Sequence, residues 1–189
     1  MPVRRIPCKP NEDTPMFRAS LIAASAALAF LPATAFAQAQ SVDLGQFDGR
    51  WFEIERNHNN VQKDCSRAQI DFTQRDAADR YAIAVTCTRR NDGKVEVLRA
   101  NARVTDTTTN AKFRFSLTGL LSFGGLAGQN YWVYDHAPDY SWAIMGLPDK
   151  SNWWIWHRNQ NASQAERDRI LTRVRALGFS TGRLVHTGL

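Results

Sequence analysis

Sulfur and imidazole are scarce in this chain: 189 residues hold three cysteines, three methionines and four histidines. His58, His136, His157 and His186 are scattered, with no i,i+4 pair and no C-x-x-C beside them, so the ligand spacing of a metal site is missing. No glycine-rich loop of phosphate-cradling form is present, and no Ser, His and Asp set can be nominated from spacing. Glu53 and Glu55 stand two apart on one expected strand, an arrangement too common to argue for acid–base catalysis. Runs of five or six like charges are absent and the arginines are dispersed, so the net charge of +6 reads as solvated surface and not as a nucleic-acid face. The apolar stretch Leu21 to Leu31 falls short of the roughly 20 residues that span a membrane. The expectations are therefore no enzyme, no metal, no cofactor, no nucleic-acid partner and no membrane anchor.

What is present begins with that apolar stretch. Arg18 precedes it and Ala35-Phe36-Ala37 follows it, the order of charged, apolar and small-residue regions in a secretory signal peptide. Residues 1–37 are expected to be a leader cleaved after Ala37, with Met16 an alternative start, and residues 38–189 a single domain. No cysteine stands directly behind the apolar region, Cys8 lying ahead of it, so a lipid-anchoring signal is not expected. The mature protein is expected to be soluble and periplasmic or secreted. A hydrophobic fraction of 43% with 22% charged residues suits a globular domain.

Beyond the leader two cysteines remain, Cys65 and Cys87, in a compartment that permits disulfides. Strand-like runs at 67–74 and 80–89 flank the turn Asp76-Ala77-Ala78-Asp79, and folding that hairpin brings the two thiols together. From Gly49 onward the hydrophobic period is two, broken at short intervals by turn residues such as Asn91-Asp92-Gly93 and Leu147-Pro148-Asp149. This pattern predicts eight antiparallel strands, at 49–56, 67–74, 80–89, 94–104, 111–117, 130–136, 140–146 and 152–158. The period then changes. Ser163 and Glu166 form a capping box, Ile170, Leu171, Val174 and Leu177 share one face, and Gly178 stops the helix. Arg167, Arg169, Arg173 and Arg175 are read as its solvated face. A short last strand, 182–187, follows. The fold class is all-β: an eight-stranded antiparallel up-and-down barrel with one C-terminal helix outside it, a size that either fills with side chains or holds one small ligand.

Phe47-Asp48-Gly49-Arg50-Trp51 resembles the G-x-W opening of the lipocalins, and Trp154-Ile155-Trp156-His157-Arg158 resembles their last strand ending in arginine. With Tyr131-Trp132-Val133 and the 140–146 block, the likeness is close to the bacterial outer-membrane lipocalin and apolipoprotein D branch and covers nearly the whole mature chain. The family's acid-then-tyrosine motif is degraded here, Asp135 lying five residues before Tyr140 and Asp139 adjacent to it. The resemblance implies that Arg158 stacks on Trp51 at one end of the barrel, where Gly49 gives the chain a tight entry. Such a water-excluding cation–π contact contributes about 1 to 2 kcal/mol.

Alternation places Ala68, Ile70, Phe72, Ile83, Val85, Phe113, Phe115, Leu117, Tyr131, Val133, Trp154 and Trp156 inward as an apolar, aromatic lining. Glu53 and Glu55 fall on the Trp51 face and would point inward unless the strand bulges. The resemblance implies a carrier of a fatty acid, lysophospholipid or similar hydrophobic molecule, the alternatives being a lipocalin-type enzyme acting on a bound guest and a filled structural barrel. The glycine-rich segment 118–129 carries Leu120, Leu121 and Phe123, which either pack or make transient membrane contact.

Overall fold

A computed structural model describes residues 41–118 and 128–187. The expected leader and the membrane contact through Leu120, Leu121 and Phe123 lie outside the described residues. In chain order the elements are α1 (Leu44–Phe47), β1 (Gly49–Asn57), β2 (Cys65–Gln74), β3 (Arg80–Arg89), β4 (Val95–Val104), β5 (Lys112–Leu117), β6 (Gln129–His136), β7 (Trp142–Gly146), β8 (Trp153–His157), α2 (Gln164–Ala176) and β9 (Leu184–His186). Strands β2 to β8 pair in sequence order, β8 pairs with β1, and β1 closes back onto β2. The result is the expected eight-stranded barrel, with β9 added beside the second half of β1.

The alternating side chains sort into two cores. Inside the barrel lie Trp51, Ile70, Phe72, Tyr81, Phe113, Val133 and Trp156, together with Phe47 from α1. Outside the wall, Ile170, Leu171 and Val174 of α2 bury against Ile54, Ile144, Trp153 and Ile155. The Ser163 side chain accepts from Glu166 N at 3.2 Å, and Gly178, at φ +82, ends the helix in a left-handed conformation that favours glycine. Cys65 and Cys87 form a disulfide across the β2–β3 ladder.

Three local readings change. Arg167 is not solvated: it is 1% exposed and donates to the carbonyls of Ile54 (2.6 Å) and Ala162 (3.1 Å) and to Glu55 (3.3 Å). Buried backbone carbonyls and the Glu55 carboxylate take its Nε and Nη1 donors, which offsets part of the desolvation. Tyr140 stands at φ +54 in the turn before β7, so that strand starts at Trp142. Its hydroxyl instead accepts from Asp43 N at 2.7 Å, tying the β6–β7 turn to the start of α1. Finally, α1 itself has no periodic signature. Asp43 caps it by accepting from Gly45 N and Gln46 N, and its product is Phe47 placed under the barrel.

Candidate functional site

One end of the barrel is sealed. Trp51 donates from its indole to Phe47 O at 2.9 Å, and the Arg158 guanidinium lies 3.7 Å over the indole ring. Arg158 also donates to the carbonyls of Gln46, Asp48 and Arg50 at 2.7 to 2.8 Å. Burial draws its pKa below the usual guanidinium value, with Asp48 opposing. Gly49, at φ +94, has its missing Cβ only 3.4 Å from Arg158, so the entry turn and the guanidinium fit together. Above this cap Phe47, Phe72, Tyr81 and Phe113 pack ring against ring, with centroids 5.0 to 6.1 Å apart. None of the four exceeds 1% exposure.

Towards the opposite end the inner wall changes character. Val85, Phe115, Leu117, Tyr131 and Trp154 pack on the barrel core yet stay only partly buried. Leu98, cross-strand from Val85 on the same inner face, is also half-buried and was not among the expected lining residues. Phe115 and Tyr131 lie 4.6 Å apart, and Tyr131 and Trp154 5.7 Å apart, as a continuous aromatic strip. Burial pushes the Tyr131 phenol up, so it stays neutral, and among the described residues its hydroxyl has no hydrogen-bond partner. Of the expected lining, Ala68, Ile70, Ile83, Val133 and Trp156 are buried, and Phe72 and Phe113 lie within the sealed section.

A polar cluster stands behind this strip. In the β1–β8 register Glu53 faces Trp156, Glu55 faces Ile155 and Arg56 faces Trp154, so Ile54 is an extra residue in a bulge. The bulge separates the two acids. Glu53 and Arg56 go in, while Glu55 goes out under α2 to meet Arg167 and His186 Nδ1 (2.9 Å). Inside, Arg56 Nε donates to Glu53 at 3.0 Å with both side chains at most 1% exposed. Gln62, from the β1–β2 connection, donates to the other Glu53 oxygen at 2.8 Å and accepts the Trp154 indole N–H at 2.6 Å. Desolvation raises Glu53 to about 7, against the opposing pull of Arg56 and Gln62. Sequence reading missed Arg56 and Gln62: bulges carry no local signature, and a loop glutamine has no periodic context.

No group of three or more His, Cys, Asp or Glu is arranged to hold a metal ion among the described residues. No helix among them is long and apolar enough to cross a membrane. The chain resembles insecticyanin from the tobacco hornworm Manduca sexta, with 15% identity and a TM-score of 0.59 over 80% of this chain and 82% of that one. Apocrustacyanin C2 matches with 14% identity and a TM-score of 0.57, covering 80% and 88%, and lobster apocrustacyanin A1 with 12% and 0.57, covering 76% and 77%. At such identities these structures speak for the fold alone. No curated protein is similar enough in sequence to count as a match. A family model of the lipocalin-like domain, however, matches residues 42–188, the whole barrel with α2 and β9, and the chain belongs to that family.

Proposed function

We propose that this protein is an exported carrier that holds a hydrophobic small molecule in the upper part of its barrel. The observation carrying the proposal is the gradient along the inner wall. Phe47, Phe72, Tyr81 and Phe113 are sealed off, whereas Val85, Phe115, Leu117, Tyr131 and Trp154 face inward and are still reached by solvent. Apolar side chains that point inward and stay accessible are the wall of a binding site, since a filled core would have covered them. Membership of the lipocalin-like family supports the same reading.

The ligand class is a fatty acid, lysophospholipid or similar single-tailed lipid. A twelve-carbon tail buried at about 0.8 kcal/mol per methylene gives roughly 10 kcal/mol gross, which leaves micromolar affinity after the costs of association. The neutral Tyr131 hydroxyl offers a donor at the lipid's polar end. Glu53 and Arg56 are buried and bonded to one another, so the accessible part of the wall is apolar and suits an uncharged tail. Placement in the bacterial outer-membrane lipocalin and apolipoprotein D branch rests on the G-x-W, 131–133 and 154–158 blocks. Removal of residues 1–37 to leave one soluble periplasmic or secreted domain rests on the leader's order of regions.

Titration of the protein with cis-parinaric acid tests this. Saturable binding with quenching of tryptophan emission is expected, weakened about tenfold by Trp154→Ala or Tyr131→Ala. Absence of saturable binding by any fatty-acid or lysophospholipid probe would refute the carrier.

A further inference from the structure

On the outer face of the barrel wall, β3, β4 and β5 carry three arginines in a row. The register sets Arg80 directly across from Arg103, and Arg103 directly across from Arg114. Neighbouring strands lie roughly 4.8 Å apart, so three guanidinium stems rise side by side across about 10 Å. Like charges placed directly opposite one another on a sheet destabilise it. Among the described residues none of the three is relieved by an ion pair. Arg75, from the β2–β3 turn, joins them by donating to Asn101 Oδ1 at 3.0 Å, two residues before Arg103 on the same face.

These side chains line one groove of about 540 Å³, together with Asn101 and Ser116. Asp76 is the one carboxylate among the groove's lining residues, and it makes no ion pair with the arginines. One guanidinium of the row is held in place: Arg114 donates to Asn130 Oδ1 at 3.2 Å, and a Cβ on Gly128 would overlap it. Four planar donors, an amide and a hydroxyl thus converge on a concave surface of ligand size.

We propose that this groove is a second binding site, for a group bearing two or more phosphates. A carboxylate presents two oxygens in one plane and satisfies a single guanidinium fork. A phosphate presents three oxygens in a tetrahedral array with up to two charges, so linked phosphates pair with several forks at once. The chemistry is shared by a soluble polyphosphate and by lipid headgroups that carry two phosphates. The site is independent of the barrel interior, and a protein that binds no lipid inside could still carry it.

The test is calorimetric titration of the disulfide-bonded protein with tripolyphosphate at fixed ionic strength, beside co-sedimentation with phosphatidylcholine vesicles containing cardiolipin, whose headgroup carries two phosphates. A saturable site is expected, weakened about tenfold by Arg80→Gln or Arg103→Gln and less than about twofold by Arg169→Gln on α2. The melting temperature of Arg103→Gln should equal or exceed that of the parent, because a like-charge contact is removed. Binding of tripolyphosphate alone identifies a soluble source, and vesicle binding lost in the same variants identifies headgroups; either supports the site. Failure of both probes to bind, or an equal loss in Arg169→Gln, overturns it by leaving nothing beyond general positive charge.

Discussion

Arg158 lies 3.7 Å over the Trp51 ring and reaches three backbone carbonyls on the far side of the chain's entry turn. The contact joins the first strand to the end of the last across the sealed floor of the barrel, and it couples a cation–π interaction to charge-assisted hydrogen bonds. Replacing Arg158 by Lys keeps the charge but loses the planar fork that serves Gln46, Asp48 and Arg50 together. The expected cost is about 2 kcal/mol for Arg158→Lys and about 3 kcal/mol for Arg158→Ala, read as a lower midpoint in urea with unchanged slope. Equal stability of Arg158→Ala and the parent would mean that Trp51 alone seals the floor.

The disulfide between Cys65 and Cys87 closes a loop of 22 residues in sequence separation. In the chain-entropy account that closure is worth about 3 kcal/mol, most of it through the unfolded state. The variant Cys65→Ser/Cys87→Ser should therefore fold to the same barrel and unfold at lower denaturant by that amount. Reduction of the parent should produce the same shift, and a variant with no shift would contradict the assignment of stability to this bridge.

Much of this architecture is legible in the residues themselves. Period-two runs between Gly49 and Arg158 fix the strand order, because each strand must bury one face and each turn carries its own chemistry. Ser163, Glu166 and Gly178 likewise delimit α2. What is not legible has identifiable causes. The extra residue Ile54, and Tyr134 in the matching irregularity of β6, turn Glu55 and Asp135 outward toward α2, where Arg167 and Arg173 meet them. Strict alternation gives no warning of either. The division of the lining into a sealed and an accessible section depends on which rings meet across the barrel, a property of closure and not of any one strand.

Gln62 is a latch for one wall of the proposed pocket, because it accepts from Trp154 at 2.6 Å while donating to Glu53 at 2.8 Å. Gln62→Ala removes the acceptor and frees the indole to change rotamer, at a cost of about 1 kcal/mol to whatever depends on its position. The expected result is a several-fold loss of cis-parinaric acid affinity, a shift in tryptophan emission and a melting temperature lowered by a few degrees, since the buried Glu53 carboxyl loses the Gln62 donor. Loss of affinity with unchanged emission would place the effect elsewhere than on Trp154.

The inward pair Glu53 and Arg56 sets a pH dependence of the opposite sign to that of most carboxylates. Burial raises Glu53 from 4.5 to about 7 in the folded protein. Below pH 4.5 both folded and unfolded forms carry the proton, and no stability difference arises from this group. Between pH 4.5 and 7 the unfolded chain ionises first, so stability falls as pH rises; above pH 7 both forms are ionised and the loss, roughly 3 kcal/mol, is complete. Asp106, Asp139 and Asp149, whose pKa values are lowered from 3.8, act the other way and only at more acidic pH. Denaturant midpoints between pH 5 and 7.5 should therefore fall in the parent more steeply than in Glu53→Gln. At pH 5, where the protonated Glu53 already leaves Arg56 without a counter-charge, that variant should match the parent to within about 1 kcal/mol, and the difference should open in its favour as the pH rises. In Glu53→Leu/Arg56→Met the pair is replaced by apolar groups of similar volume, and stability at pH 7.5 should return to within about 2 kcal/mol of the parent or exceed it. A parent whose midpoints rise across this window by as much as those of Glu53→Gln would show that Glu53 is already ionised at pH 5, and that Arg56 outweighs its burial.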